Sequence, residues 1–131
     1  MGARVLVVED SGFMRKRICD EIVAQGHSIV GEAKSGNEAL EMYRSLKPDL
    51  VTMDITMRDK DGITAAREIL SEFPDAKILF LTILKDEKYR EEAERIGAIG
   101  FLNKTDHWSN PLREITRTRQ FAGSVHKGRL G

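Results

Sequence analysis

Five side chains in this 131-residue sequence are of types that do chemistry together: the carboxylates of Glu9, Asp10 and Asp54, the hydroxyl of Thr82 and the amine of Lys104. Carboxylates packed together repel one another and lose solvation unless a cation neutralises them. An all-oxygen cluster suits a hard divalent cation. Mg2+ takes few carboxylates, keeps waters and leaves room for a phosphate oxygen. A carboxylate beside Mg2+ and a lysine ammonium is equipped to attack phosphorus, because phosphoryl transfer depends above all on positioning and charge neutralisation. In such a site Thr82 would hydrogen-bond one phosphoryl oxygen and Lys104 would pair with another. Taken singly, each residue has a plainer explanation. An Asp after a strand is usually a loop or cap residue, a Thr in a strand is an ordinary β-branched residue, and a Lys is usually solvated. The chemistry therefore depends on the elements that bring the five together.

Short apolar runs alternate with helical patterns along the chain. Arg4–Val8 reads as a buried strand, short, continuous and rich in Val. The pattern then predicts a helix over 12–25 with Met14, Ile18, Ile22 and Gln25 on one face, ended by Gly26. Ser28–Ala33 reads as a second strand and Gly36–Leu46 as a helix with Ala39, Leu40 and Tyr43 inward, closed by Lys47-Pro48. Leu50–Met53 reads as a third strand, followed by a helix over 62–73 that Pro74 closes. A fourth strand is predicted over 77–81, a charged helix over Glu87–Ile96 ended by Gly97, and a fifth strand over 99–102. A last helix is predicted over 110–121, with Pro111 at a helix-start position. Five β-α units in strict alternation imply a parallel sheet with helices on both faces and right-handed crossovers. Ligands of such sheets bind beyond the carboxyl ends of the strands. The first strand ends in Glu9-Asp10, the third in Asp54, the fourth in Thr82 and the fifth in Lys104, so all five residues converge on one edge. The second ends in Lys34-Ser35-Gly36, a plain helix start.

Composition bounds the alternatives. The length suits one domain, placed at 1–121, with 122–131 as a flexible C-terminal tail. With 21 Lys and Arg against 21 Asp and Glu, the formal net charge is zero and gives no broad footprint for nucleic acid. No apolar run is long enough to span a bilayer, and the N-terminus does not resemble a signal peptide, so a cytoplasmic protein without membrane contact is expected. Cys19 is the only cysteine, which excludes an internal disulfide and reads as a small helix residue turned toward the core.

The segments VLVVEDSGFMRK, PDLVTMDITM, DG at 61–62, ILFLT and FLNK closely resemble response-regulator receiver domains, in register over roughly residues 3–121. Among receivers the chain looks most like the stand-alone chemotaxis, CheY-like type. The resemblance implies a flavodoxin-like (βα)5 three-layer fold with strand order 2-1-3-4-5. It also implies that Asp54 is the phosphoacceptor, that Glu9, Asp10 and Asp54 hold Mg2+ with the backbone carbonyl of Thr56, and that Lys104 pairs with the phosphoryl group. Thr82 matches the switch hydroxyl. Phe101 matches the aromatic that moves inward when Thr82 is drawn to the phosphoryl group, although an aromatic in a terminal strand is equally a core residue.

Four positions depart from the family pattern. Arg58 stands where Pro is usual, and Lys60 where Met precedes Asp-Gly. Their side chains are expected in solvent, with Asp59 and Asp61 beside them. Ile83 follows Thr82 where a small residue is usual, and its bulk would obstruct the pocket and slow phosphorylation and hydrolysis. Thr105 replaces the Pro of a Lys-Pro pair whose peptide is typically cis. A cis bond without proline costs about 2.5–4 kcal/mol, so a trans bond is expected. Trp108 is expected to pack.

The function implied is a response regulator of a two-component phosphorelay. A sensor histidine kinase would supply the phosphoryl group, and the helix 4–strand 5–helix 5 face would change shape for a downstream protein, a flagellar switch if the chain is chemotactic. Such a protein catalyses only its own phosphorylation and dephosphorylation and is not a conventional enzyme. No effector domain fits after residue 121, and a monomer is expected. A haloacid-dehalogenase-type phosphatase would need a second Asp at position 56, which is Thr. A flavodoxin-like redox protein would meet repulsion between Glu9-Asp10 and a flavin phosphate. A receiver that no longer cycles and acts as a protein-binding module is the remaining alternative.

Overall fold

Alternating side chains of β1, Arg4–Val8, already divide the core in two. Val5 and Val7 face one layer while Leu6 and Val8 face the other, as the two-residue period of a strand requires. The structure is a computed structural model that describes residues 2–104. After β1 come α1 (Gly12–Ala24), β2 (Ser28–Ala33), α2 (Gly36–Leu46), β3 (Leu50–Met53), α3 (Gly62–Glu72), β4 (Ile78–Thr82), α4 (Glu87–Ile96) and β5 (Gly100–Asn103). The five strands form one sheet in the order β2-β1-β3-β4-β5, every neighbouring pair parallel. This is the flavodoxin-like order that the resemblance implied. The last predicted helix over 110–121, Thr105 and its peptide bond to Lys104, Trp108 and the tail 122–131 lie outside the described residues.

The central strands are mostly buried and apolar because both faces are covered, with Thr52 in β3 and Thr82 at the end of β4 as buried polar residues. On one face Leu6, Val8, Met53, Ile78 and Phe80 pack against Ala39 and Tyr43 of α2, Ile63 and Ile69 of α3 and Ala93 of α4. On the other, Val5, Val7, Leu50, Leu79 and Leu81 pack against Ile18 and Ile22 of α1. Cys19 lies partly buried at the edge of that second cluster, and burial pushes its thiol up to about 11, as expected of an unreactive helix cysteine.

Each described helix starts on a side-chain cap. Ser11, Ser35, Asp61 and Asp86 accept hydrogen bonds from the N–H groups of Met14, Glu38, Thr64 and Lys88. These caps close the β–α loops that carry the polar residues. Two strands sit one residue later than their apolar runs predict. Pairing of Thr82 with Asn103 keeps these polar residues in the β4–β5 ladder, so the ladder and not the hydrophobic run sets both ends. Gln25 and Phe73 are caps, not the last residues of α1 and α3.

Candidate functional site

The carboxyl edge of the sheet gathers the acidic residues. The Glu9 N–H donates to the Ala33 carbonyl at 3.0 Å and the Asp54 N–H to the Val8 carbonyl at 3.1 Å, which extends the β1 and β3 backbones to the edge. One oxygen from each of Glu9, Asp10 and Asp54 lies within 4.8 Å of the other two. Glu9 is 1% exposed and Asp54 5%, whereas Asp10 is half-buried.

Lys104 enters this cluster from the end of β5. Its Nζ donates to Glu9 Oε1 at 2.9 Å and to Asp54 Oδ2 at 3.0 Å. The remaining oxygens of both acids are also engaged. Ser11 N–H donates to Glu9 Oε2 at 3.1 Å, and Ile55 N–H to Asp54 Oδ1 at 2.8 Å. Burial pushes the Glu9 pKa above the usual carboxylate value, with the Lys104 hydrogen bond pulling the other way and the Asp54 charge adding to the rise. Burial works to lower the Lys104 pKa, but its bonds to Glu9 and Asp54 outweigh that and raise it. The lysine is thus held charged between two carboxylates. Removing it would leave two buried acids facing each other, the costly case for a buried ion pair.

Thr82 is fully buried at the end of β4, and its carbonyl accepts the Lys104 N–H at 3.1 Å. Its hydroxyl oxygen accepts the Leu84 N–H at 3.2 Å, and a hydroxyl that accepts can also donate its proton. Phe101 is 9% exposed and its ring centroid lies 6.5 Å from that of Phe80, so here it is a core residue. Thr56 is exposed in the β3–α3 loop, at the rim of a groove of about 650 Å3 between α3 and α4. Ile83 is 58% exposed, so most of its side chain faces solvent.

The β3–α3 loop bears out the expected exposure of Arg58 and corrects the expectation for Lys60. Asp59 and Asp61 are occupied elsewhere: Asp59 accepts the N–H groups of Gly36 and Asn37 at the start of α2, and Asp61 caps α3. Lys60 is not free in solvent but pairs with Glu68 at 2.7 Å, away from the acidic cluster. The Arg58 side chain is 89% exposed, yet its Nε lies 3.6 Å from Asp10 Oδ2, and its N–H donates to that same oxygen at 3.2 Å. Sequence reasoning missed this contact, and also the Ser11 amide that fixes Glu9. The signals were the N–H restored by the missing proline and a serine cap two residues after the glutamate.

The donor set fits a hard divalent cation. Three clustered carboxylates, one buried ammonium and one exposed guanidinium leave an excess of negative charge among oxygen donors. A family model described as the response regulator receiver domain matches residues 5–113. The chain belongs to that family. The receiver is similar to the chemotaxis protein CheY of Thermotoga maritima, 45% identical over 104 residues that cover 79% of this chain and 87% of the relative. It is 39% identical to the CheY of Bacillus subtilis over 118 residues, 90% of this chain and 98% of the relative. Its fold matches a CheX–CheY–BeF3–Mg complex from Borrelia burgdorferi with a TM-score of 0.81, 29% identity and 87% coverage of both chains. The protein is thus a CheY-like receiver domain of the two-component response regulators. Receivers bind Mg2+ at an acidic pocket, and Glu9, Asp10 and Asp54 form such a pocket in this one. No helix among the described residues is long and apolar enough to cross a membrane.

Proposed function

We propose that this receiver is a phosphorylation switch in which Asp54 accepts a phosphoryl group from a sensor histidine kinase. The observation that carries the reading is the acidic trio within 4.8 Å, two of whose members share the buried Lys104 ammonium. Glu9, Asp10 and Asp54, with the Thr56 backbone carbonyl, would hold Mg2+, which when bound supplies positive charge toward the oxygens of the transferring group. An Asp54 carboxylate oxygen forms the new bond to phosphorus. The bond from phosphorus to the donor imidazole breaks, and the ring keeps the electron pair and takes up a proton. Lys104 leaves its bond to Asp54 and pairs with a phosphoryl oxygen, while the Thr82 hydroxyl donates to another. Water then attacks the phosphorus, the bond to the Asp54 oxygen breaks and inorganic phosphate leaves, so the chemistry of the chain is its own phosphorylation and dephosphorylation.

Movement of Thr82 reaches the partner face through its neighbours. Its carbonyl is tied to Lys104, and Phe101 lies in the adjoining strand, so α4 and β5 are placed to report the change to a downstream protein. The similarity to CheY proteins favours a chemotactic output such as a flagellar switch, in the cytoplasm and as a monomer. Nuclear magnetic resonance with beryllofluoride, a phosphoryl mimic, tests the reading. The Thr82 and Phe101 resonances should shift only when beryllofluoride and Mg2+ are both present, and not in Asp54→Asn. Unchanged resonances would contradict the switch and point to a non-cycling binding module.

A further inference from the structure

Every acid of the cluster meets a cation. Lys104 serves Glu9 and Asp54, and the third acid, Asp10, is met by Arg58. Both polar arms of Arg58 reach one atom, since its backbone N–H lies 3.2 Å and its Nε 3.6 Å from Asp10 Oδ2. The proline usual at this position has neither an N–H nor a charge, so it could supply neither arm. The loop is pinned on the far side, by Asp59 on the Gly36 and Asn37 amides and by Lys60 on Glu68, which fixes the Arg58 backbone against Asp10.

We propose that Arg58 is an intramolecular counter-cation for Asp10 that competes with Mg2+ and sets the metal concentration at which the site fills. The inference rests on the reading that Glu9, Asp10 and Asp54 hold Mg2+. A divalent ion binding Asp10 has to displace the guanidinium charge or bind beside it, and either lowers its affinity. The side chain is 89% exposed, so it can swing into water, and the effect is that of a surface pair. Arg58 is a positioning and tuning residue and touches no reacting atom.

Calorimetric titration of the whole protein with MgCl2 tests this. Arg58→Gln, which keeps the N–H and loses the charge, should bind Mg2+ about two- to five-fold more tightly than the unaltered protein, the range expected of an exposed pair. Arg58→Lys should restore most of the difference. The gap should narrow between about 0.1 M and about 0.5 M NaCl, because exposed charges are screened. Equal or weaker Mg2+ binding by Arg58→Gln, while Asp10→Asn still abolishes it, would overturn the role of Arg58 and leave the site reading intact. Mg2+ binding that Asp10→Asn does not weaken would overturn the site reading itself, and this inference with it.

Discussion

Glu9 and Asp54 are acids where water is scarce, and the Lys104 ammonium between them offsets much of that cost. These residues were legible in the sequence because a polar side chain straight after a buried strand can only lie at the sheet's edge. Arg58 was not. A long exposed side chain carries no spacing signal that says which carboxylate it reaches, and the nearest acids in sequence, Asp59 and Asp61, were already held by helix amides. Asp59 makes the point measurable. Desolvation works to raise its pKa, but backbone N–H donors from Asn37, Gly36 and Lys60 outweigh it and hold the carboxyl at about 2, below the ordinary 3.8. Because the folded value is depressed, the stability it contributes is present above the unfolded value and is lost as pH falls through the folded one. Asp59→Asn should therefore lower the urea midpoint at neutral pH, and the gap from the unaltered protein should narrow as pH falls from about 3.8 toward 2. A gap that does not change with pH would mean the carboxylate charge is not what holds α2 to the loop.

At the scale of elements, the β3–α3 connection is squeezed between two backbones. A Cβ on Gly62 would lie 1.9 Å from the Asp54 carbonyl oxygen, and one on Gly36 would lie 2.5 Å from that of Lys60. Both neighbours are backbone, so neither can turn aside. Gly62→Ala should destabilise the fold by about 1–3 kcal/mol in urea denaturation, as overpacking does, and should displace the Asp54 loop. Gly12→Ala is the control, since its Cβ would meet only the end of the Arg15 side chain at 3.7 Å and should leave stability nearly unchanged. A near-neutral Gly62→Ala would refute the close approach. The Asp-Gly pair at 61–62 was visible as a motif, but the reason for the glycine was not, because the contact is with a strand end eight residues earlier. Strand ends were blurred for a related cause. Hydrophobic runs locate β4 and β5, yet the Thr82–Asn103 pairing sets where they stop.

For the whole molecule, alternation of strand and helix left few arrangements, and the resemblance selected the order 2-1-3-4-5 that the sheet adopts. That order puts β1 and β3 side by side at the centre and β4 and β5 next to them, so residues 95 apart in sequence, Glu9 and Lys104, meet at 2.9 Å. The convergence is a property of the topology and not of any one segment. Its central consequence, a phosphoryl group on Asp54, is tested most directly by incubating the protein with acetyl phosphate and Mg2+, recording intact mass, and mapping the modified residue after borohydride reduction of the acyl phosphate. The account predicts a gain of one phosphoryl group at Asp54, absent with EDTA and absent in Asp54→Asn. No gain across a range of times and concentrations, or a gain that survives Asp54→Asn, would contradict it.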